Sequence, residues 1–314
     1  MVLAVCGCTQ QPNKLTRVSI AFQDWVGYGP FYLGQEKGFF AQEGIDLFFV
    51  DEQLDSGRRD AFKAGMLDCE AGTIDLLVSK LSQDTPIVAV LELDRSFGGD
   101  AVVANKKIKS LEDLIGKKVV FSRDDVGEMF ISYLFYKKGL SLRDIKIISC
   151  SPEQVADVFL KKEADAVVTW EPWVSKALAF PGAHILATTK DYPGVIIDTL
   201  NIRKDIVENN PKLVKGLIRG WFKAVKYFQD NPDEANQIIA KHYNISPEAY
   251  KKSVSFLKWT GYKEQVELGK SGAWKEIFDL IAKIKFENGR IVKMPDSKKS
   301  INTILIQEAY ENSR

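Results

Sequence analysis

The sequence contains little histidine and little cysteine, with two His and four Cys among 314 residues. Neither His184 nor His242 has an Asp, Glu or Cys at the spacing of a metal site, and the chain has no GxSxG, no HExxH and no phosphate loop ending in GK[ST]. The run Gly98-Gly99-Asp100 is too short for a dinucleotide-binding loop. These absences disfavour an enzyme, and we expect neither a metal nor a cofactor.

The chain also lacks an excess of charge of one sign and lacks long apolar runs. Its 43 Lys and Arg against 42 Asp and Glu leave a formal net charge of +1, whereas nucleic-acid binding needs a clustered basic field. No run approaches the about 20 apolar residues of a membrane-spanning helix. Hydrophobic residues nevertheless make up 45% of the chain, which is enough for a sizeable core. We therefore expect two domains or one large α/β domain, without a nucleic-acid partner.

The first residues are typical of the end of a bacterial lipoprotein signal. Apolar residues 1–5 are followed by the small Gly7, by Cys8 and by polar residues. We predict that Cys8 is lipidated and anchors the protein, because two acyl chains bind a membrane surface stably where one does not. The stretch departs from a full signal, since it has no basic n-region and only seven residues precede Cys8. We assign residues 1–15 to a signal remnant, lipobox and tether; a chance Cys-Gly-Cys is the alternative.

The remaining cysteines, Cys69 and Cys150, lie too far apart for a CxxC metal or redox motif. A disulfide would need them adjacent in the fold, and nothing in the sequence indicates this. We predict two buried free thiols.

Short apolar segments and amphipathic segments alternate over the first two thirds of the chain. This β-α-β-α pattern predicts a parallel sheet with helices on both faces, and it restarts near residue 110, so we expect two similar units. Beyond residue 209 the pattern is helical, with Trp221 and Phe228 on one apolar stripe that we expect to pack on the first unit. We assign residues 16–104 and 198–314 to the first lobe and 105–197 to the second. The chain then crosses between lobes near residues 103–106 and 198–200.

In open α/β sheets, ligands bind beyond the carboxyl ends of the strands. The residues that follow the predicted strands are rich in carboxylates and aromatic rings, and they include Asp24, Trp25, Tyr28, Asp51, Asp55, Thr73, Asp75, Asp94, Arg95, Ser96, Asp100, Arg123, Asp124, Asp125, Gly127, Glu128, Trp170, Glu171, Trp173 and Asp198. Carboxylates with aromatic walls favour a small cation through charge-assisted hydrogen bonds and cation–π contacts. Asp is also common in such loops as a helix cap, which is the alternative for many of them.

Four segments carry a family resemblance when they are considered together. They are Trp25–Pro30, Glu36–Phe40, Leu111–Lys117 and Thr169–Trp173. With their order and spacing, the chain resembles the substrate-binding lipoproteins of ABC importers in the nitrate/sulfonate/taurine group, over about residues 16–230. The resemblance implies a periplasmic-binding-protein type II fold, with two α/β lobes joined by two hinge strands and, here, a C-terminal helical tail. It also implies one small molecule held between the lobes.

The resemblance also implies roles for individual residues. It places Trp170 and Glu171 at the cleft and matches Asp198 to a hinge aspartate that faces the ligand amine in taurine-type binders. At the start of the first helix in the second lobe, sulfonate binders tend to have hydroxyl residues, which hold the anion together with the helix N–H groups. Here that position has Asp125 and then Glu128, whose carboxylates would repel a sulfonate. The full set that we predict to bind ligand is Trp25, Tyr28, Asp55, Thr73, Asp75, Arg95, Ser96, Asp125, Gly127, Glu128, Trp170, Glu171 and Asp198.

We therefore expect a monomeric solute-binding component that captures a small nitrogen-containing cation or zwitterion and delivers it to a membrane permease driven by an ATPase. Its expected location is the outer face of the bacterial cytoplasmic membrane, or the periplasm. A taurine-like sulfonate or a thiamine or riboflavin precursor is the alternative ligand. A pyrimidine-synthesis enzyme on the same fold is disfavoured, because the chain lacks that enzyme's cysteine cluster. A signalling sensor is disfavoured, because no output domain is fused.

Overall fold

A computed structural model of the chain describes residues 14–52 and 55–311. The predicted lipid acceptor Cys8 lies outside the described residues, so its lipidation stays a prediction. Within the described part of the chain, no helix is both long enough and apolar enough to span a bilayer.

Two β-sheets and the helices that cover them make up the described fold. The strands are β1 (Thr16–Ala21), β2 (Ile45–Val50), β3 (Cys69–Thr73), β4 (Ile87–Ser96), β5 (Asp100–Ala104), β6 (Lys118–Phe121), β7 (Lys146–Ser149), β8 (Ala166–Trp170), β9 (His184–Thr188), β10 (Ile197–Arg203) and β11 (Leu257–Trp259). The helices are α1 (Gly29–Glu36), α2 (Asp55–Lys63), α3 (Ile74–Ser82), α4 (Val126–Lys138), α5 (Pro152–Leu160), α6 (Trp173–Ala177), α7 (Lys204–Asn209), α8 (Pro211–Asp230), α9 (Pro232–His242), α10 (Pro247–Val254), α11 (Tyr262–Ser271), α12 (Ala273–Glu287), α13 (Ser297–Ser300) and α14 (Ile304–Glu311).

The strand orders are β11-β4-β10-β3-β1-β2 in a six-stranded sheet and β7-β6-β8-β5-β9 in a five-stranded sheet. We call the six-stranded sheet with its helices the first lobe, and the five-stranded sheet with α4, α5 and α6 the second lobe. The expected α/β class with two lobes and a helical C-terminal region is confirmed.

The expectation of parallel sheets holds for only part of each sheet, since β1 with β2 and β3, and β6 with β7 and β8, are parallel. β10 runs antiparallel to both of its neighbours in the first sheet, and β5 does so in the second. The physical reason is that both strands enter directly from the other lobe, without a helical crossover. A strand that starts at the cleft must run away from it, whereas the strands beside it end there.

The crossings between the lobes differ from the predicted ones. The prediction assigns residues 100–104 to the first lobe. β5 pairs with β8 and β9, and residues 101–104 are fully buried in the second lobe's core. The first crossing is therefore residues 97–99, where Gly98 has a φ of 99° that favours glycine. The second crossing spans residues 189–196, and it is joined to the first by a 2.8 Å hydrogen bond from the Gly98 amide to the Thr189 hydroxyl. The Thr189 hydroxyl also lies 2.8 Å from that of Ser96, the last residue of β4.

The C-terminal helices complete the core of the first lobe, as the sequence predicts. Trp221 on α8 is fully buried, and its ring lies 4.6 Å from that of Phe31 on α1. Both described cysteines are free thiols: Cys69 is buried as predicted, whereas Cys150 is only partly buried.

A candidate ligand-binding cleft between the lobes

Strand ends and helix starts of both lobes surround a small cavity that is partly open to solvent. Its lining consists of Gln23, Asp24, Trp25, Tyr28, Thr73, Asp100, Val126, Trp170, Ile196 and Asp198. Five of the residues predicted to bind ligand meet here, namely Trp25, Tyr28, Thr73, Trp170 and Asp198. They come together because β1, β3 and β8 end at the cleft and β10 begins there.

Asp198 and Tyr28 form the centre of the cavity floor. The Tyr28 hydroxyl donates a hydrogen bond to Asp198 Oδ1, and both residues are buried. Burial raises the pKa of Asp198 to about 7, although the hydrogen bond from Tyr28 opposes the rise. Burial and the neighbouring Asp198 raise the pKa of Tyr28 well above its usual value, so its hydroxyl keeps its proton and acts as a donor.

Asp94 lies beside Asp198, because the two residues are register partners on β4 and β10. Its Oδ1 accepts a 3.1 Å hydrogen bond from the indole Nε1 of Trp25. Its Oδ2 is buried and has no hydrogen-bond partner among the described residues. Burial, followed by repulsion from Asp198, raises the pKa of Asp94 well above its usual range. In the sequence, Asp94 is one of the residues near a strand end, but it is not part of the predicted ligand-binding set.

Two further carboxyl groups belong to the second lobe: Asp100 lines the cavity, whereas Asp125 lies outside the lining and next to the lining residue Val126. Asp100, at the start of β5, is 3% exposed and is the register partner of Trp170. Burial raises the pKa of Asp100 to about 7. Asp125 precedes α4, and its Oδ1 accepts a 2.8 Å hydrogen bond from the Val126 amide. Burial raises the pKa of Asp125 to about 6.

The cavity therefore has an unbalanced charge. No Lys or Arg is part of the described lining. The carboxyl groups are also not arranged as a metal site, since no cluster of three or more His, Cys, Asp or Glu in the described part of the chain could hold a metal ion. What the lining offers is buried acceptor oxygens beside aromatic rings, which suits a small organic cation.

Three of the carboxylates predicted to bind ligand lie outside the cavity lining because basic side chains hold them. Asp55 pairs with Lys80 at the start of α2. Asp75 on α3 is 3.2 Å from Lys285 on α12. Glu128 on α4 accepts a 2.9 Å hydrogen bond from Arg290 Nε.

Four other residues predicted to bind ligand lie outside the cavity lining and have structural contacts instead. Arg95 lies outside the lining and pairs with Glu92 and Glu264. Successive side chains of a strand point to opposite faces, and Asp94 is the one that lies beside Asp198. Glu171 accepts a 3.0 Å hydrogen bond from the Ser175 amide in the first turn of α6. The remaining two predicted residues also have structural contacts. The Ser96 hydroxyl is hydrogen-bonded to that of Thr189 in the second crossing, and Gly127 lies where α4 packs closely on β8.

The chain belongs to the NMT1/THI5-like family, whose model matches residues 25–235, more than half of the chain. It is 27% identical over 256 residues to a candidate binding protein of Brucella abortus, covering 80% of this chain and 78% of the relative. It is 24% identical over 225 residues to the taurine-binding periplasmic protein of Escherichia coli, covering 70% and 69%. The resemblance to the nitrate/sulfonate/taurine group is thereby confirmed.

Solved structures confirm the fold. The periplasmic aliphatic sulphonate binding protein of Escherichia coli superposes with a TM-score of 0.76 at 15% identity, covering 91% of this chain and 92% of that one. The two-lobed architecture is thus that of the periplasmic binding proteins.

Proposed function

We propose that this member of the NMT1/THI5-like family is the solute-binding component of an ABC importer and captures a small nitrogen-containing cation or zwitterion between its lobes. The observation that carries the ligand class is the buried Asp94–Asp198 pair, of which Asp198 lines a cavity whose described lining has no Lys or Arg. The names of the relatives support the transport role. Catalysis has no support in the lining, because His184 and His242 are not part of it.

The burial of Asp94 and Asp198 has an electrostatic cost. An ionised carboxylate in a buried site is costly unless a positive group pairs with it, and here the raised pKa values of Asp94 and Asp198 express that cost. A ligand ammonium group would supply both the missing charge and N–H donors. Asp198, which lines the cavity, is the acceptor closest to such a ligand, and Asp94 is its register partner on the neighbouring strand.

The aromatic residues fit the same ligand. Trp25, Tyr28 and Trp170 all contribute to the cavity wall. Aromatic faces attract an ammonium group through the ring quadrupole, and they cover the apolar part of an amine equally well. The limited volume favours a ligand of few heavy atoms.

A taurine-like sulfonate is the second candidate, and the names of the relatives favour it. The ammonium group of such a zwitterion would suit Asp94 and Asp198. Its sulfonate would need donors, and the first amide of α4, at Val126, is already bonded to the carboxylate of Asp125. This occupied helix start favours a ligand whose charge is mainly positive.

In this proposal the protein works by lobe closure and carries out no chemistry. A ligand that contacts both lobes only when they are closed shifts the population towards the closed form. The closed form would dock on a membrane permease, and an ATPase would drive release. Lipid anchoring through Cys8 and action as a monomer outside the cytoplasmic membrane belong to the same proposal.

A thermal-shift screen followed by calorimetry tests the ligand class. We expect the melting temperature to rise with small amines or amino acids, since a ligand that binds only the folded state stabilises it. A rise with sulfonates, nitrate or pyrimidines and none with amines would overturn the cationic ligand. For the amine found, Asp94→Asn and Asp198→Asn should each weaken binding by about 2–5 kcal/mol, as loss of a buried charge partner does. The matched control is Asp233→Asn, an exposed acid on α9.

A further inference from the structure

The two lobes also touch outside the cavity, where α4 of the second lobe meets the segment after α12 of the first. Arg290 in that segment donates from both Nε and Nη2 to Glu128 Oε1, with an Nε–Oε1 distance of 2.9 Å. The Glu128 side chain is 5% exposed and that of Arg290 is 24% exposed. Arg290 also lies 3.9 Å from a carboxylate oxygen of Asp124. One arginine of the first lobe therefore faces two acids of the second.

Glu128 connects this contact to the cavity. Its second oxygen, Oε2, accepts a 2.7 Å hydrogen bond from the backbone amide of Asp124. Asp124 has a φ of 55°, a left-handed conformation that is uncommon for any residue other than glycine. The next two residues are Asp125, which caps α4, and Val126, which lines the cavity. The carboxylate of Glu128 thus holds the backbone turn that brings the start of α4 to the ligand site.

The contact is sensitive to the distance between the lobes. Glu128 is nearly excluded from solvent, and an acid in that position depends on a positive partner. Arg290 supplies this partner from the other lobe, so any movement that separates α4 from the segment after α12 breaks the pair. A second interlobe hydrogen bond runs from Lys283 Nζ on α12 to the Tyr136 hydroxyl on α4. Its length is 3.1 Å, and it is exposed. We therefore expect the Arg290–Glu128 pair to contribute more than this neighbour.

We propose that Arg290 is an interlobe positioning residue that holds the lobes together and orders the start of α4 from outside the ligand cavity. The inference goes beyond the proposed function, since it describes a bias towards closure that exists without any ligand. Such a bias would increase the apparent affinity for ligand. The apparent dissociation constant is the intrinsic one divided by the fraction of the protein that is closed, so a larger closed fraction gives tighter binding.

The test uses the ligand-free protein. Arg290→Gln should increase the radius of gyration measured by small-angle X-ray scattering, because the lobes open. It should also increase hydrogen exchange in residues 122–126 by on the order of tenfold, a typical size for coupling between two sites. The matched control is Lys293→Gln. Lys293 lies three residues further along the same segment, and its partner Asp84 belongs to the same lobe, so neither measurement should change.

A charge exchange separates a specific pair from general damage. Glu128→Arg alone should open the lobes, and adding Arg290→Glu should restore the radius of gyration at least in part. Circular dichroism checks that each variant is folded, and Arg290→Lys provides a milder variant that keeps the charge. An unchanged radius and unchanged exchange in folded Arg290→Gln would overturn the proposal, as would an equal change in Lys293→Gln. Because no ligand is added, failure here is distinct from failure of the proposed amine binding.

Discussion

Asp94 and Asp198 are directly paired on the adjacent antiparallel strands β4 and β10, and they are 0% and 2% exposed. Like charges in such a pair destabilise a sheet. The pKa of each carboxyl group is raised, with burial as the main cause and the neighbouring acids as contributors. At neutral pH this pair of carboxyl groups therefore retains protons in the empty protein.

The first prediction concerns stability against pH. Burial raises the pKa of Asp198 and of Asp100 to about 7, so the folded protein keeps protons that the unfolded chain loses near pH 4. The free energy of unfolding should fall between about pH 4 and pH 7, by up to about 4 kcal/mol for each carboxyl, and this contribution should be constant above that window. Urea unfolding of the ligand-free protein at several pH values measures it. The fall should be smaller in Asp198→Asn; equal pH profiles for the two proteins would contradict the assignment.

The second prediction is that Asp94→Asn stabilises the empty protein. The substitution keeps the shape of the side chain and removes a buried carboxyl whose Oδ2 has no donor among the described residues. We expect an increase in the free energy of unfolding of about 1–3 kcal/mol at pH 7.5, the usual penalty of an unsatisfied buried polar group. Thermal unfolding of the variant beside the exposed control Asp233→Asn measures the change. A lower melting temperature for Asp94→Asn alone would show that its carboxyl stabilises the fold.

The third prediction is that amine binding releases protons. A bound ammonium group favours the ionised forms of Asp198 and Asp100, whose pKa values near 7 leave both partly protonated at neutral pH. The affinity should therefore increase from pH 5 to pH 8, as long as the amine stays charged. Calorimetry at pH 7 in phosphate and in cacodylate, two buffers that contain no amine, should give different heats, because the buffers differ in ionisation enthalpy. Identical heats would mean that the carboxyls do not change protonation on binding.

The fourth prediction separates two neighbours that the sequence treats alike. Glu171 bonds the first turn of α6, so Glu171→Gln should leave amine affinity within about twofold and cost less than about 1 kcal/mol of stability, as loss of a helix cap does. Trp170 lines the cavity, so Trp170→Ala should weaken binding by about 0.5–2 kcal/mol, the range of a cation–π contact. Calorimetry on both variants measures the difference. A larger loss of affinity in Glu171→Gln than in Trp170→Ala would reverse the assignment.

The sequence predicts part of the cavity well, because local pattern defines the ends of buried strands. Trp25, Tyr28, Thr73 and Trp170 stand at such ends or at the first turn that follows, and the structure brings them together with Asp198 at the start of β10. The fold class is predictable for the same reason, since short apolar strands alternate with amphipathic helices.

The other features of the site depend on contacts between distant parts of the chain. β4 continues to Ser96, so Asp94 and Arg95 point to opposite faces of the sheet, and the pairing with β10 places Asp94 beside Asp198. Asp75 is held by Lys285, 210 residues further along the chain. No spacing rule connects such positions. The sequence therefore does not show that a carboxylate near a strand end is already paired with a basic side chain in the fold.

The position of β10 has a consequence for the order in which the chain can fold. The second lobe is continuous in sequence, with its strands between residues 100 and 188. The first sheet is not, because β10 lies between β3 and β4 and is made about a hundred residues after them. Until β10 arrives, β3 and β4 have no partner between them and the centre of that sheet is missing. The second lobe is thus the natural first folding unit, and the ligand-facing edge of the first lobe is completed when Asp198 and the rest of β10 are inserted.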